Sequence, residues 1–120
     1  MRAEGRALAL AGCAALLLPA TGLGAPPEAA ARKVVRLGDF FFRPSHLRVA
    51  AGTTIVWRWP ATPGEPHDVL LTNGPRGVKR FRSKLERSDY SFRRTLRKRG
   101  RYSFVCTVHP EDMRLRIRVR

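Results

Sequence analysis

The last seven residues, Arg114-Leu115-Arg116-Ile117-Arg118-Val119-Arg120, alternate charge and hydrocarbon without a break. Successive side chains of an extended chain point to opposite faces, so this run reads as a strand with Leu115, Ile117 and Val119 buried and four arginines in water. The same two-residue period recurs between Gly and Pro breaks. Lys33 to Leu37 and Leu47 to Ala50 read as strands, the second ended by Gly52-Thr53. Thr54 to Trp59 sets Ile55, Trp57 and Trp59 on one face. His67 to Thr72 follows the strand-breaking loop Ala61-Thr62-Pro63-Gly64-Glu65-Pro66, and Val78 to Ser83 reads as a weak edge strand after the turn at Asn73-Gly74-Pro75. Asp89 to Leu96 carries Tyr90, Phe92 and Leu96 against polar neighbours. Arg101 to Cys106 carries Tyr102, Phe104 and Cys106 on one face. No segment sustains a 3.6-residue period beyond one turn around Lys84 to Ser88. Seven or eight short strands with one apolar face each bury those faces most economically as two packed sheets. The expected class is all-β, a two-sheet Greek-key sandwich spanning residues 33–120.

The 120 residues have room for one small domain. Arg2 and Arg6 precede the apolar run Ala7 to Ala20, and Thr21-Gly22-Leu23-Gly24-Ala25 supplies small residues after it. This order of basic start, apolar run and small-residue exit predicts a secretory signal peptide over residues 1–25. The apolar run is short of the roughly 20 residues that a membrane span requires. Leu10-Ala11-Gly12-Cys13 also resembles a bacterial lipobox, so the alternative is a lipidated Cys13 that tethers the domain to a membrane without spanning it. Residues 26–32 read as a flexible lead-in. Beyond the leader Cys106 is the single thiol, which rules out an intramolecular disulfide there. A lone cysteine in an oxidising compartment is an interchain bridge, a reactive thiol or a metal ligand.

The net charge is +15. Removing Arg2, Arg6 and Glu4 with the leader leaves 22 basic and 8 acidic side chains, a net +14. Such a field draws acidic partners and raises association rates. Nucleic acid is the usual partner of a chain this basic. The export signal argues against it, as does the distribution of arginines along wet strand faces. The expectation is an acidic partner protein, no nucleic acid, and charge that mostly forms solvated surface.

The rarest side chains gather in one stretch. Cys106, His109 and Met113 fall within eight residues, and His67 stands behind Pro66 at the start of another strand. Met113 is the only methionine besides Met1, and His46 is the only other histidine. A thiolate, two imidazoles and a thioether suit copper that cycles between Cu(I) and Cu(II). Three of them on one loop approach a metal from one side, and His67 approaches from another strand. Structural zinc sites prefer more Cys and His and do not favour thioether. His46, in a polar loop, is expected to be exposed, and Glu111 and Asp112 to be solvated.

Three stretches resemble a small cupredoxin of the plastocyanin, amicyanin and pseudoazurin kind. Asp39-Phe40-Phe41-Phe42-Arg43-Pro44 through Leu47-Arg48-Val49 and Gly52-Thr53-Thr54-Ile55-Val56-Trp57 is similar to the early part of that family. Pro66-His67-Asp68-Val69 resembles its first-histidine motif. Gly100 to Pro110 with Met113 resembles its ligand loop. The resemblance implies a cupredoxin-like sandwich holding one type 1 copper ion, with His67, Cys106 and His109 as strong ligands and Met113 as a weak one. It also implies one-electron transfer through the exposed edge of His109, with Pro66 and Pro110 in an apolar docking rim. Two features depart from the family pattern. Asp68 stands where asparagine is common, and its carboxylate is expected to accept from the Thr107 region and to lower the reduction potential. Three residues separate His109 from Met113, between the two of the amicyanin type and the four of the plastocyanin type, and Arg114 stands where glycine often follows.

The expected protein is an exported, periplasmic or extracellular, monomeric electron carrier and not an enzyme. Oxidases and nitrite reductases of this fold need further histidines for a second copper centre, and only His46 is left. The alternative is a copper-binding or delivery protein without a redox partner. Its usual Met-rich or His-rich tracts are absent from the sequence.

Overall fold

The C-terminal alternation forms a strand whose burial follows the sequence residue by residue, with Leu115, Ile117 and Val119 buried and the intervening arginines exposed. The computed structural model describes residues 5, 11–16 and 31–120. Most of the expected leader and lead-in lies outside the described residues. Eight strands follow in chain order: β1 (Arg32–Gly38), β2 (Phe41–Arg43), β3 (His46–Val49), β4 (Thr53–Arg58), β5 (Leu70–Asn73), β6 (Ser91–Leu96), β7 (Gly100–Val105) and β8 (Arg114–Val119). No helix occurs among the described residues.

The strands make two four-stranded sheets, ordered β2-β1-β4-β6 and β3-β8-β7-β5. Both are mixed, because β1 runs parallel to β4 and β3 parallel to β8. The chain passes between the sheets repeatedly, which brings residues distant in sequence onto one core. Trp57 is fully buried there and packs against Phe92 and Phe104, with ring centroids 5.6 and 5.1 Å away. The sandwich expected from the alternating pattern is the observed fold.

Two elements differ from the reading of the sequence. Val78 to Ser83 is not a strand; it touches β5 only through an isolated bridge between Leu70 and Arg82. Val78 and Phe81 both pack against the core. Residues three apart on a strand face opposite ways, so the chain must leave the extended form to bury both. The short β2 was not anticipated, since three residues before a proline carry almost no periodic signal. Gly100 opens β7 at φ 140°, and a Cβ there would lie 2.6 Å from Pro75 Cγ, so the turn from β6 requires glycine.

Candidate metal centre

His67, Cys106, His109 and Met113 meet at one end of the sandwich. Cys106 follows β7 directly, and its inward phase places it at 0% exposure. The segment 106–113 then turns back into β8. Two backbone hydrogen bonds close it, Cys106 N–H to Met113 C=O at 3.1 Å and Met113 N–H to His109 C=O at 2.9 Å. Met113 is fully buried as a result. Arg114, the departure from the family pattern, donates from Nε to Pro110 C=O at 2.9 Å and braces the same turn from outside.

His67 arrives from the loop before β5 and is 1% exposed. Its backbone pairs in both directions with Glu86, at 3.0 Å each way. The Trp59 indole N–H donates to His67 C=O at 3.2 Å and to Glu86 C=O at 2.9 Å, tying this pair to the end of β4. The imidazole is fixed on its far side: Nε2 lies 2.7 Å from Asp39 Oδ1 in the β1–β2 turn. The hydrogen bond from His67 holds the Asp39 carboxyl below its ordinary value, partial desolvation opposes that, and Glu65 N–H, 3.1 Å away, adds to the lowering. A Cβ on Gly64 would sit 2.8 Å from Asp39 Oδ2, so the glycine leaves the carboxylate its seat. With Nε2 donating to a carboxylate, Nδ1 keeps its lone pair and faces inward.

That nitrogen lies 3.9 Å from Cys106 Sγ. A first-row divalent ion such as zinc, bonded at about 2.0 Å to imidazole and about 2.3 Å to thiolate with an angle near 120°, would hold the two donors about 3.7 Å apart. The His67 and His109 rings lie 5.1 Å apart between centroids, and the buried Nε2 of His109 has no hydrogen-bond partner. An orphaned imidazole nitrogen, a buried thiol and a buried thioether on one closed loop, with a second imidazole facing them, are a donor set that fits copper. Among the described residues no three His, Cys, Asp or Glu side chains are already closed into a cation cage.

Asp68 lies behind Cys106 with its side chain fully buried. It accepts from Thr107 N–H at 2.7 Å, Thr107 Oγ1–H at 2.6 Å and Arg82 Nε at 2.8 Å. Burial pushes its carboxyl up, but these bonds outweigh it and hold the group below the ordinary carboxylate value. Thr107 is thereby tied to the histidine segment. Arg82 is the partner that the sequence did not disclose. Its guanidinium, half in water, neutralises the charge that Asp68 would otherwise present to the site.

The outer rim is apolar. Val108 is 43% and Phe40 46% exposed, Pro110 is exposed and Pro66 half-buried. The His109 ring is itself half-buried, with the Phe40 ring edge-on to it at 4.5 Å. His46, exposed on β3, and the exposed Glu111 and Asp112 stand apart from the cluster.

Residues 29–120 match the copper binding proteins of the plastocyanin/azurin family, and the chain belongs to that family. It is a small cupredoxin, and its cofactor is a single type 1 copper ion. Over 80 residues it is 35% identical to a chloroplastic plastocyanin of Fritillaria agrestis, a match covering 60% of this chain and 47% of the relative. Over 71 residues it is 32% identical to halocyanin of Natronomonas pharaonis, covering 58% and 42%. The chain spans about half the length of these curated relatives. Among solved structures it is similar to an amicyanin variant in its Cu(I) form, with a TM-score of 0.64 at 25% identity over 77% of this chain and 85% of that one. A second, reduced amicyanin variant shares the fold with a TM-score of 0.65.

Proposed function

We propose that the protein is an exported type 1 copper protein that carries single electrons between redox partners. His67, Cys106 and His109 are the strong ligands and Met113 the weak one. The observation that carries this reading is the His67 Nδ1 to Cys106 Sγ approach of 3.9 Å beside the orphaned His109 nitrogen. Copper, when bound, supplies a one-electron couple between Cu(I) and Cu(II). The chain's own residues do the rest. Asp39 and Trp59 hold His67 from its side chain and its backbone. Asp68 locks Thr107, and through it Cys106, against the histidine segment. Ligands braced by these three residues resist the rearrangement that a change of oxidation state would otherwise require.

The burial of Cys106, His67 and Met113 at 0–1% exposure favours electron transfer over copper delivery, because a metal handed to another protein needs ligands that reach the surface. The partner docks on the rim of Phe40, Pro66, Val108 and Pro110, next to His109. The net charge of +14 beyond the leader makes an acidic redox partner the expected one, with a rate that falls as salt screens the field. Export rests on the leader pattern of residues 1–25, with a lipidated Cys13 as the alternative route to a membrane. The test is Cu(II) addition to the purified protein, read by visible spectrum and voltammetry. An intense thiolate-to-copper absorption and a reversible one-electron wave are expected, both lost in Cys106→Ser. A colourless, redox-silent protein would overturn the reading.

A further inference from the structure

One pole of the domain is free of acidic residues among residues 31–120, while arginines occur at both poles. The strand register puts Arg48, Arg118 and Arg101 side by side across β3, β8 and β7, all exposed. Neighbouring strands lie about 4.8 Å apart, and like charges in opposed positions repel. The turn Arg97-Lys98-Arg99 leads from Leu96 into β7 at the same end. Backbone hydrogen bonds join the two sheets there, from Ala51 N–H to Arg120 C=O and from Gly52 N–H to Leu96 C=O, so these residues share one pole. Among the described residues none of them is in a salt bridge, where the pairs formed are Arg82 with Asp68 and His67 with Asp39.

The acidic residues of 31–120 all lie towards the other pole. They occupy the β1–β2 turn, the loop between β4 and β5, the segment before β6 and the loop between β7 and β8. The basic pole is about 20 Å from Cys106, six residues of strand at about 3.3 Å each. A partner held on these arginines would be remote from the ligands, so they do not seat a redox partner, though they add to the long-range field that draws one. The pole is also where the chain enters the domain. Ala31 C=O accepts from Thr54 N–H at this end, and the apolar run Ala7 to Ala20 lies upstream of it.

We propose that this pole is a docking surface for an anionic lipid bilayer, which seats the domain with its metal end turned away from the membrane. Guanidinium groups pair with phosphate in a forked geometry, and 20 of the 24 basic residues are arginine. The chain entry then faces the membrane, in the orientation that either a leader in transit or a lipid anchor requires. The surface does not depend on the metal reading, since it is built from charge placement alone.

The test is vesicle co-sedimentation of the full chain at about 50 mM salt, where screening is weak. Vesicles of pure phosphatidylcholine are compared with vesicles containing about one-third phosphatidylglycerol. Partition onto phosphatidylcholine measures what the apolar N-terminal run contributes, and the difference isolates the pole. The variant Arg48→Gln/Arg101→Gln/Arg118→Gln is expected to lose about a hundredfold of the phosphatidylglycerol-dependent binding, at about fivefold per basic residue near an anionic surface. The variant Arg36→Gln/Arg58→Gln/Arg93→Gln, equal in net charge but nearer the other pole, is expected to lose far less. Amide exchange on bound vesicles should slow in the Arg97–Gly100 turn and not in residues 107–112. Equal losses in the two variants, equal binding to the two vesicles, or protection in residues 107–112 would overturn the proposal. So would a variant that loses retention on polyglutamate while keeping its vesicle binding, which would make the pole a site for an acidic protein.

Discussion

Asp68 ties the segment of His67 to that of Cys106, and Asp68→Ala measures how strongly. The substitution removes the acceptor for Thr107 N–H, Thr107 Oγ1–H and the Arg82 guanidinium. Hydrogen bonds to a charged group are worth about 1.5–3 kcal/mol each. The two Thr107 bonds share one carboxylate, and the half-buried Thr107 amide regains some water, so together they contribute about 3 kcal/mol rather than twice the upper figure. Arg82 is 53% exposed and returns to solvent, which limits its share to about 1 kcal/mol or less. At about 4–8 °C per kcal/mol for a domain of this size, apo Asp68→Ala should melt about 12–24 °C below the unaltered protein at pH 7. The deficit should also depend on pH. The folded carboxyl titrates below its ordinary value of 3.8, so its stabilisation is complete above the unfolded value and disappears as pH falls through the folded one. The two proteins should therefore converge as pH falls from 7 to well below the ordinary carboxylate range. Calorimetry across that range is the assay. A deficit under about 3 °C at pH 7, or one that persists unchanged to pH 2, would refute the reasoning.

Other residues around the site give shorter tests. Asp39→Asn keeps an oxygen near His67 Nε2 but removes the charge, so the reduction potential should rise, and nitrogen NMR of the apo protein should find His67 mixing tautomers; an unchanged potential and a single tautomer would remove Asp39 from any tuning role. Trp59→Phe deletes the donor shared by His67 and Glu86 carbonyls and should lower stability by about 1 kcal/mol, seen as a smaller urea midpoint at constant slope. Met113→Leu should keep copper and colour but shift the potential, and no shift at all would exclude Met113 as the axial ligand.

Much of the fold was legible because a strand's period is written in consecutive residues. Leu115, Ile117 and Val119 announce their own burial, and so do Ile55 and Trp57 in β4. The stretch from Val78 to Ser83 misled for the opposite reason, since its apolar residues are three apart and follow no strand period. Four rare donor side chains marked His67 and the 106–113 segment as a candidate site in the same direct way. Their supporting residues carried no such mark. Arg82 is one arginine among 20, and nothing local pairs it with Asp68, 14 positions earlier. Asp39 reads as an ordinary turn residue, 28 positions before the histidine it holds.

The sequence by itself determined the alternating strands, the donor chemistry and the net charge, because each is a property of residue type and spacing. The tertiary structure alone decided which carboxylate touches which imidazole, how the 106–113 loop closes on Met113, and that the acids gather at one end while arginines occur at both. These follow from parallel pairings and sheet-to-sheet crossings, which bring together residues that are far apart in sequence, and no local pattern encodes such meetings.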